Sequence, residues 1–219
     1  RAYLEAYLKI RGKDGRLLPL HLNGPQQKLY AALAAQYGFV VAEDDPYRAL
    51  RYSGEHLPTI FSFDTEGLVV YLTSFSKLIS PGLRVGSAVV KNPALMRKLV
   101  VGKQSTDLHT PTLSQAIVAE YLARGLLPAH MAKILAMYRE QLALMQRELA
   151  ALPVRVYPTE GGLFIWCETD ARVNALELLQ TAVQNRVAFV PGTHFYAHGG
   201  HLNTLRLNFS NSTPEQIVQ

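Results

Sequence analysis

The sequence predicts an α/β fold in two parts, a partial large domain with a mostly parallel sheet and a smaller C-terminal α+β domain. Three short apolar runs are typical of buried strands in one sheet, at residues 39–42, 68–72 and 85–90. From Val154 onward, short strands instead surround a single helical pattern at residues 173–185. This change of pattern predicts the second, smaller domain.

Helical patterns begin and end at residues that suit helix termini. One runs from about Gln26 to Tyr37, before the first strand. Pro93 and Pro128 suit first-turn positions, because a proline there lacks only an N–H that the helix does not use. Pro153 ends the long helix that begins at Pro128. We therefore predict domains at residues 1–125 and 153–219, joined by the long helix at residues 126–152.

Composition narrows the class of protein. The 219 residues can bury a sizeable core, and the net charge of +5 suits an anionic cofactor. The basic residues are scattered rather than clustered, so we expect no nucleic-acid partner. Cys167 is the only cysteine, which excludes an internal disulfide and agrees with a reducing compartment. No apolar run approaches the roughly 18 residues of a membrane span, so we expect a cytoplasmic protein with no membrane partner.

The segment from Thr73 to Gly86 carries the strongest chemical signal. Lys77 follows a predicted strand and two serines, Ser74 and Ser76, and Arg84 comes seven positions later. A lysine amine at a strand end can trap a carbonyl, while hydroxyls and a guanidinium hold a phosphate dianion. The alternative is an ordinary polar turn. An acyl-enzyme Ser-x-x-Lys motif is disfavoured, because the sequence lacks the Ser-Asp-Asn and Lys-Thr-Gly elements that accompany it.

Two further segments carry charges that need a partner. The carboxylates of Glu43, Asp44 and Asp45 repel one another after an apolar strand, which favours a nearby cation. The alternative is that Asp44 or Asp45 caps a turn. Far downstream, Arg206 lies in a segment that alternates apolar and polar residues, where its guanidinium could grip a carboxylate with two hydrogen bonds.

The order of these segments resembles a known family. Acidic tripeptide, lysine segment, Gly161-Gly162, Pro191-Gly192 and the arginine strand follow one another as in class I aminotransferases of pyridoxal 5'-phosphate (PLP) fold type I. The lysine segment is most similar to the branch of 2-aminoadipate and multi-substrate aminotransferases. The resemblance implies a PLP-dependent aminotransferase that moves an amino group between an α-amino acid and a 2-oxo acid by a ping-pong mechanism. It also implies a homodimer.

The resemblance implies a role for each matching residue. Lys77 holds the cofactor and then moves the α-proton of the substrate. Asp44 pairs with the pyridinium nitrogen, or Asp45 does so if the register shifts by one, and Tyr47 bonds the ring oxygen. Ser74, Ser76 and Arg84 bind the phosphate. Arg206 binds the α-carboxylate of the substrate.

Three alternatives remain open from the sequence. The same residues serve PLP-dependent β-lyases and the aminotransferase-like effector domains of transcriptional regulators. Family members are usually longer, and their upstream glycine loop and ring-stacking aromatic residue are not visible here. A catalytically incompetent fragment that acts as a binding or structural domain is therefore the third alternative. We expect no metal site, because His198 and His201 lack carboxylate or cysteine neighbours at ligand spacing.

Overall fold

The structure, a computed structural model, describes residues 24–196 and 198–218. Within them the chain forms two compact units. The first contains residues 24–46 and 55–123, and the second contains residues 47–54 and 124–218. Residues 1–23 of the predicted first domain lie outside the described residues. The predicted connecting helix belongs to the second unit, as does the short segment at residues 47–54.

The first unit contains a three-stranded sheet and three helices. Its elements are α1 (Gly24–Tyr37), β1 (Val41–Asp44), β2 (Val69–Ser74), β3 (Gly86–Val89), α2 (Pro93–Asp107) and α3 (Thr112–Ala123). The strand order is β1-β2-β3, with β1 parallel to β2 and β3 antiparallel to β2. The helix and strand types follow the sequence prediction. The antiparallel direction of β3 does not follow from it, because an apolar run carries no information on strand direction.

Buried side chains and two carboxylates hold β1 and β2 in place. Ala31 of α1 packs with Ile60 and Val69 in a small apolar core. The Glu43 carboxylate accepts hydrogen bonds from the backbone N–H groups of Ile60 and Phe61, both at 2.9 Å. Buried Asp64 in the same way accepts from the backbone at the start of β2. Glu43 therefore stabilises the fold by binding backbone N–H groups, unlike the neighbouring Asp44.

Strand β3 differs from the sequence prediction in its exposure. The apolar run at residues 85–90 predicts a buried strand, yet Gly86–Val89 is exposed along its whole length. Among the described residues β3 pairs only with β2, so it forms an edge of the described sheet. An edge strand with no described layer over it stays exposed whatever its apolar content. The prediction of a buried third strand is wrong for this part of the chain.

The second unit is a four-stranded antiparallel sheet packed on a long helix. Its elements are α4 (Leu127–Leu149), β4 (Arg155–Val156), β5 (Phe164–Glu168), α5 (Ala175–Gln184), β6 (Val190–Pro191), β7 (Thr204–Asn208) and α6 (Pro214–Val218). The strand order is β4-β5-β7-β6, and every pairing is antiparallel. This confirms the predicted change from a sheet with parallel pairing to a C-terminal α+β region.

One face of this sheet forms the largest core of the described structure. Ile165, Cys167 and Leu205 are buried there with Leu142 and Leu149 of α4. Leu, Met and Tyr residues recur at helical spacing along α4 and form this packed face, and Leu135, Tyr138 and Met145 also contact the core. Cys167 is a small, fully buried residue of this core. Since side chains alternate along a strand, β5 and β7 present their other residues to the opposite face.

Across residues 24–196 and 198–218, the structure has no helix with the length and apolar character that a membrane crossing requires.

Candidate functional site

The ends of β1 and β2 bring two predicted site residues to one edge of the sheet. Because the strands are parallel, their carboxyl ends meet, with Asp44 opposite Leu72. Alternation along β2 then places Ser74 on the same face as Leu72 and Asp44. The Asp44 side chain is exposed at this edge. Open α/β sheets commonly bind ligands at such an edge.

Asp45, the alternative for the ring nitrogen, is engaged on the other side. Its carboxylate accepts a long hydrogen bond from the Tyr71 hydroxyl, and its carbonyl oxygen accepts one from the Thr73 hydroxyl, both at 3.5 Å. Tyr71 and Thr73 alternate with Leu72 and so occupy the opposite face of β2. The geometry supports Asp44 over Asp45 as the residue on the face of Ser74.

Ser74, Ser76 and Arg84 form a chain of hydrogen bonds after β2. The Ser76 N–H donates to the Ser74 hydroxyl oxygen at 3.2 Å, and Nη1 of Arg84 donates to the Ser76 hydroxyl at 3.4 Å. The same Nη1 also reaches the carbonyl oxygen of Pro81 at 3.2 Å. The hydroxyls of Ser74 and Ser76 and the guanidinium of Arg84 therefore lie close together, although Arg84 comes eight positions after Ser76 in the sequence. This set suits a phosphate group.

The backbone of Arg84 adopts a conformation that is unusual for a residue with a side chain. Its φ of 55° lies in the left-handed region, which costs roughly 1–3 kcal/mol for such a residue. The next strand begins at Gly86, where a Cβ would lie 2.9 Å from the carbonyl oxygen of Thr73. The close approach of β3 to β2 therefore requires glycine there, and the preceding turn directs the Arg84 side chain back toward Ser76.

Lys77 lies in the turn between Ser76 and this arginine. The turn is closed by hydrogen bonds from the Ile79 N–H to the carbonyl oxygen of Phe75 at 2.8 Å and from the Phe75 N–H to that of Val85 at 3.0 Å. The Lys77 side chain is half-buried. Along the chain, Lys77 therefore comes between the two serines, Ser74 and Ser76, and Arg84.

Tyr47 and Arg206 belong to the second unit, whereas the other predicted site residues belong to the first. The Tyr47 ring packs edge-on against Phe164, with ring centroids 6.3 Å apart. Arg206 lies in β7, where its guanidinium carbon is 4.0 Å from the ring centroid of Phe164 and 4.6 Å from that of Phe195. The predicted site residues of both units are half-buried or exposed.

The Gly161-Gly162 segment fastens residues 47–54 to the second unit. The Gly162 N–H donates to the Leu50 carbonyl oxygen at 2.7 Å, and a Cβ on Gly161 would overlap that oxygen. The Tyr52 hydroxyl donates to the carbonyl oxygen of Gly162, and Arg51 forms an ion pair with Glu160. Burial, with a smaller contribution from Tyr138, raises the pKa of Tyr52, so this donor keeps its proton. Tyr47 is thereby held beside Phe164.

The Pro191-Gly192 segment makes a second close approach. A Cβ on Gly192 would overlap the Thr204 side chain, so only glycine lets the short 3₁₀ turn Gly192–Phe195 pack on β7. The two glycine segments were weak signals in the sequence. The structure gives each of them a physical reason.

Sequence reasoning missed the aromatic rings around Arg206. Phe164 and Trp166 alternate with the buried Ile165 and Cys167, and Trp166 is the residue opposite Arg206 in the β5–β7 pairing. The sequence does indicate that Phe164 and Trp166 share a face, because side chains alternate along a strand and these two residues are two positions apart. Phe195 ends a Pro-Gly-x-x-Phe segment in the sequence, but its position over Arg206 depends on the contact between Gly192 and Thr204.

Comparisons with known proteins agree with this geometry. The family described as aminotransferase class I and II matches residues 24–219. Aromatic-amino-acid aminotransferase 1 of Thermococcus litoralis is 40% identical over 90% of this chain and 48% of its own length.

Two solved structures are similar to the chain. A kynurenine aminotransferase of Pyrococcus horikoshii, in complex with PMP, has a TM-score of 0.85 and 35% identity over 99% of this chain and 57% of its own. The α-aminoadipate aminotransferase LysN of Thermus thermophilus, complexed with N-(5'-phosphopyridoxyl)-L-leucine, has a TM-score of 0.81 and 40% identity over 93% of this chain and 52% of its own. The chain spans about half the length of these relatives. It belongs to the aminotransferase class I and II family and has the α/β architecture of PLP fold type I.

Proposed function

We propose that this chain acts as a PLP-dependent aminotransferase that moves an amino group between an α-amino acid and a 2-oxo acid. The observation that carries the proposal is the convergence of Ser74, Ser76 and Arg84 beside Lys77. A phosphate-binding set next to a lysine amine is what PLP requires. Two of the similar structures bind PMP or a phosphopyridoxyl compound, which supports the same cofactor here.

The residues present fit the charges of PLP. Arg84, with the Ser74 and Ser76 hydroxyls, would hold the phosphate dianion, and the left-handed Arg84 backbone directs the guanidinium toward those hydroxyls. The exposed Asp44 carboxylate, at the edge that Ser74 shares, would keep a proton on the ring nitrogen. Tyr47 would donate to the ring oxygen. When bound, PLP supplies an electron sink that stabilises negative charge at the substrate α-carbon.

Lys77 and Arg206 would act on the substrate. The Lys77 amine would hold the carbonyl carbon of the cofactor. When free, the same amine would act as the base that moves the α-proton of the substrate. Arg206 grips the α-carboxylate of the amino acid and, later, of the 2-oxo acid. Because one carboxylate site serves both substrates in turn, the kinetics would be ping-pong.

The homodimer and the cytoplasmic location also belong to this proposal. Leu108 and Leu113 are 70% and 73% exposed around the start of α3, and Ile117 follows one turn later on the same helix. Apolar side chains clustered on a surface commonly mark a contact with another part of a protein or with a partner. Sedimentation velocity of the purified protein would show whether it assembles into dimers.

Product analysis tests the proposed reaction. The chain is mixed with PLP, an amino acid and 2-oxoglutarate, and both products are quantified by mass spectrometry. The names of the relatives put aromatic amino acids, kynurenine and 2-aminoadipate first on the panel of donors. A transaminase yields one 2-oxo acid for each glutamate formed. A β-lyase yields a cleaved side chain without glutamate, and an effector domain or an incompetent fragment yields neither product. Either result would contradict the proposal.

A further inference from the structure

We propose that Phe164 and Phe195 form an aromatic clamp that fixes the guanidinium of Arg206 in position to bind a carboxylate. The clamp is defined by these three residues. The inference rests on the proposed function, because it takes the carboxylate of the substrate as the ligand of Arg206. It assigns the two phenylalanines as positioning residues, which act through the arginine.

Strand pairing brings the clamp together on one face of the second unit. In the β5–β7 register, Trp166 lies opposite Arg206 and Phe164 lies opposite Asn208. Alternation separates Phe164, Trp166 and Arg206 from the buried core on the other face. The guanidinium carbon lies 4.0 Å and 4.6 Å from the ring centroids of Phe164 and Phe195, well inside the roughly 6 Å reach of a cation–π contact.

The two aromatic rings compensate for a hydrogen bond that the Arg206 guanidinium lacks in the described part of the chain. Its Nε is buried and has no hydrogen-bond partner among the described residues. This N–H has lost water without gaining an acceptor, which is unfavourable for a charged group. The ring faces supply the compensating attraction. A carboxylate would therefore meet the outer edge of the guanidinium, at Nη1 and Nη2, because Nε is already enclosed.

Neighbouring aromatic residues hold each ring of the clamp. Phe195 lies edge-on to Trp166, with centroids 5.4 Å apart, and Phe164 is edge-on to Tyr47 at 6.3 Å. The Gly192 approach to Thr204 packs the turn that carries Phe195 on β7. The rings are thus fixed on rigid elements. A guanidinium held in advance loses less conformational entropy when a carboxylate binds, which favours affinity.

The Arg206 side-chain resonance in an NMR spectrum of the full chain tests the clamp without any cofactor. We expect the Nε proton to be shifted upfield by the ring currents of the two phenylalanines. Its exchange with water should be at least about 10-fold slower than that of Arg97, which is exposed on α2. Phe164→Leu and Phe195→Leu keep apolar bulk but remove the ring, so each should move the resonance toward that of Arg97.

Conservative and distant variants separate positioning from general packing. Phe164→Tyr and Phe195→Tyr retain the ring and should restore the wild-type resonance. Phe189→Leu serves as the matched control, because Phe189 packs against the core of the same unit and is not part of the clamp. It should leave the Arg206 resonance unchanged. Wild-type resonance positions in both leucine variants would overturn the clamp.

Titration with 3-phenylpropionate then tests the purpose of the clamp, with 3-phenylpropan-1-ol as the probe without a carboxylate. The acid, but not the alcohol, should shift the Arg206 resonance, and either leucine variant should weaken its binding by about 3- to 10-fold. Trp166, the only tryptophan, gives a second signal by fluorescence. If Arg206→Gln loses the response while the leucine variants bind with wild-type affinity, the clamp is overturned and the carboxylate role stands. If Arg206→Gln keeps the response, the carboxylate role fails, and the clamp proposal fails with it.

Discussion

The two units hold their predicted site residues in opposite ways. In the first unit, Ser76, Lys77 and Arg84 lie in a turn after a strand, and Arg84 is exposed. In the second unit, Arg206 lies within a strand, with its guanidinium over two aromatic rings. In the proposed site, recognition of the carboxylate would be fixed by packing around Arg206. Recognition of the phosphate would depend on exposed charge and hydroxyl groups, whose attraction salt weakens more readily.

The largest expected effect concerns Lys77. Lys77→Ala removes the amine that would hold the cofactor and move the α-proton, so amino transfer should fall by about 1000-fold or more. Glutamate formation from 2-oxoglutarate measures the rate. Lys98→Ala is the matched control, because Lys98 is exposed on α2 in the same unit, and its rate should stay within about twofold of wild type. Equal rates in the two variants would exclude Lys77 from the chemistry.

Gly192→Ala should have the next largest effect, and on the second unit alone. The new Cβ would overlap the Thr204 side chain, so the 3₁₀ turn must move away from β7. We expect a loss of about 2–3 kcal/mol in the free energy of unfolding, typical of overpacking at a site with no room. Urea unfolding followed by Trp166 fluorescence measures it.

Gly102→Ala is the control for this substitution. A Cβ at Gly102 meets nothing within 4 Å, and the residue lies inside α2. Alanine is the better helix former, so circular dichroism should show unchanged or slightly raised stability. If Gly192→Ala unfolds at the same urea concentration as wild type, the close approach that places Phe195 over Arg206 is not as tight as described.

Arg84→Gln should have a moderate effect on the first unit. The variant loses a charged donor to the phosphate, and we expect PLP binding to weaken by about 10-fold. Absorbance titration with PLP gives the dissociation constant. Arg97→Gln removes an equal charge from the exposed surface of α2 and should change it by less than about twofold. Raising the salt concentration should weaken PLP binding to the wild-type protein, and it should change the dissociation constant of Arg84→Gln much less. Identical salt dependence in both proteins would contradict the phosphate role.

The smallest effect is a pH dependence in the core of the second unit. Burial raises the pKa of the Cys167 thiol from 9.0 to about 11. The raised pKa means that the folded state disfavours the thiolate. The stability from this group is therefore complete below pH 9 and is lost as the pH rises toward 11. Urea midpoints should be flat from pH 7 to 8.5 and fall above pH 9, and Cys167→Ala should lessen the fall. At pH 8, iodoacetamide should label the thiol only in urea. Rapid labelling of the folded chain would contradict this burial.

The sequence predicted those parts of the site that depend on local pattern. Alternation identified the strand of Arg206, and Pro93 and Pro128 identified the first turns of α2 and α4. Exposure of β3 could not be foreseen, because burial depends on which elements cover a strand. The position of Phe195 over Arg206 was equally hidden, since it follows from a contact between Gly192 and Thr204, which are distant in sequence.

Adjacent carboxylates show the same limit. Glu43, Asp44 and Asp45 were one acidic run in the sequence, yet the structure gives them three different surroundings. Glu43 accepts two backbone hydrogen bonds, Asp45 is within hydrogen-bond reach of Tyr71, and Asp44 is exposed at the edge shared with Ser74. Strand alternation separates them, but the partners of the Glu43 and Asp45 carboxylates come from residues 60–71, which no local pattern connects to this run.

The identity of the lysine that binds PLP tests the central proposal most directly. The chain is mixed with PLP, reduced with borohydride and digested, and the modified peptide is identified by mass spectrometry. The proposal predicts that the phosphopyridoxyl group is found on Lys77, and that adding an amino acid before the borohydride prevents this labelling. Labelling spread over exposed lysines such as Lys98, with Lys77 unmodified, would contradict the assignment of this turn as the cofactor site.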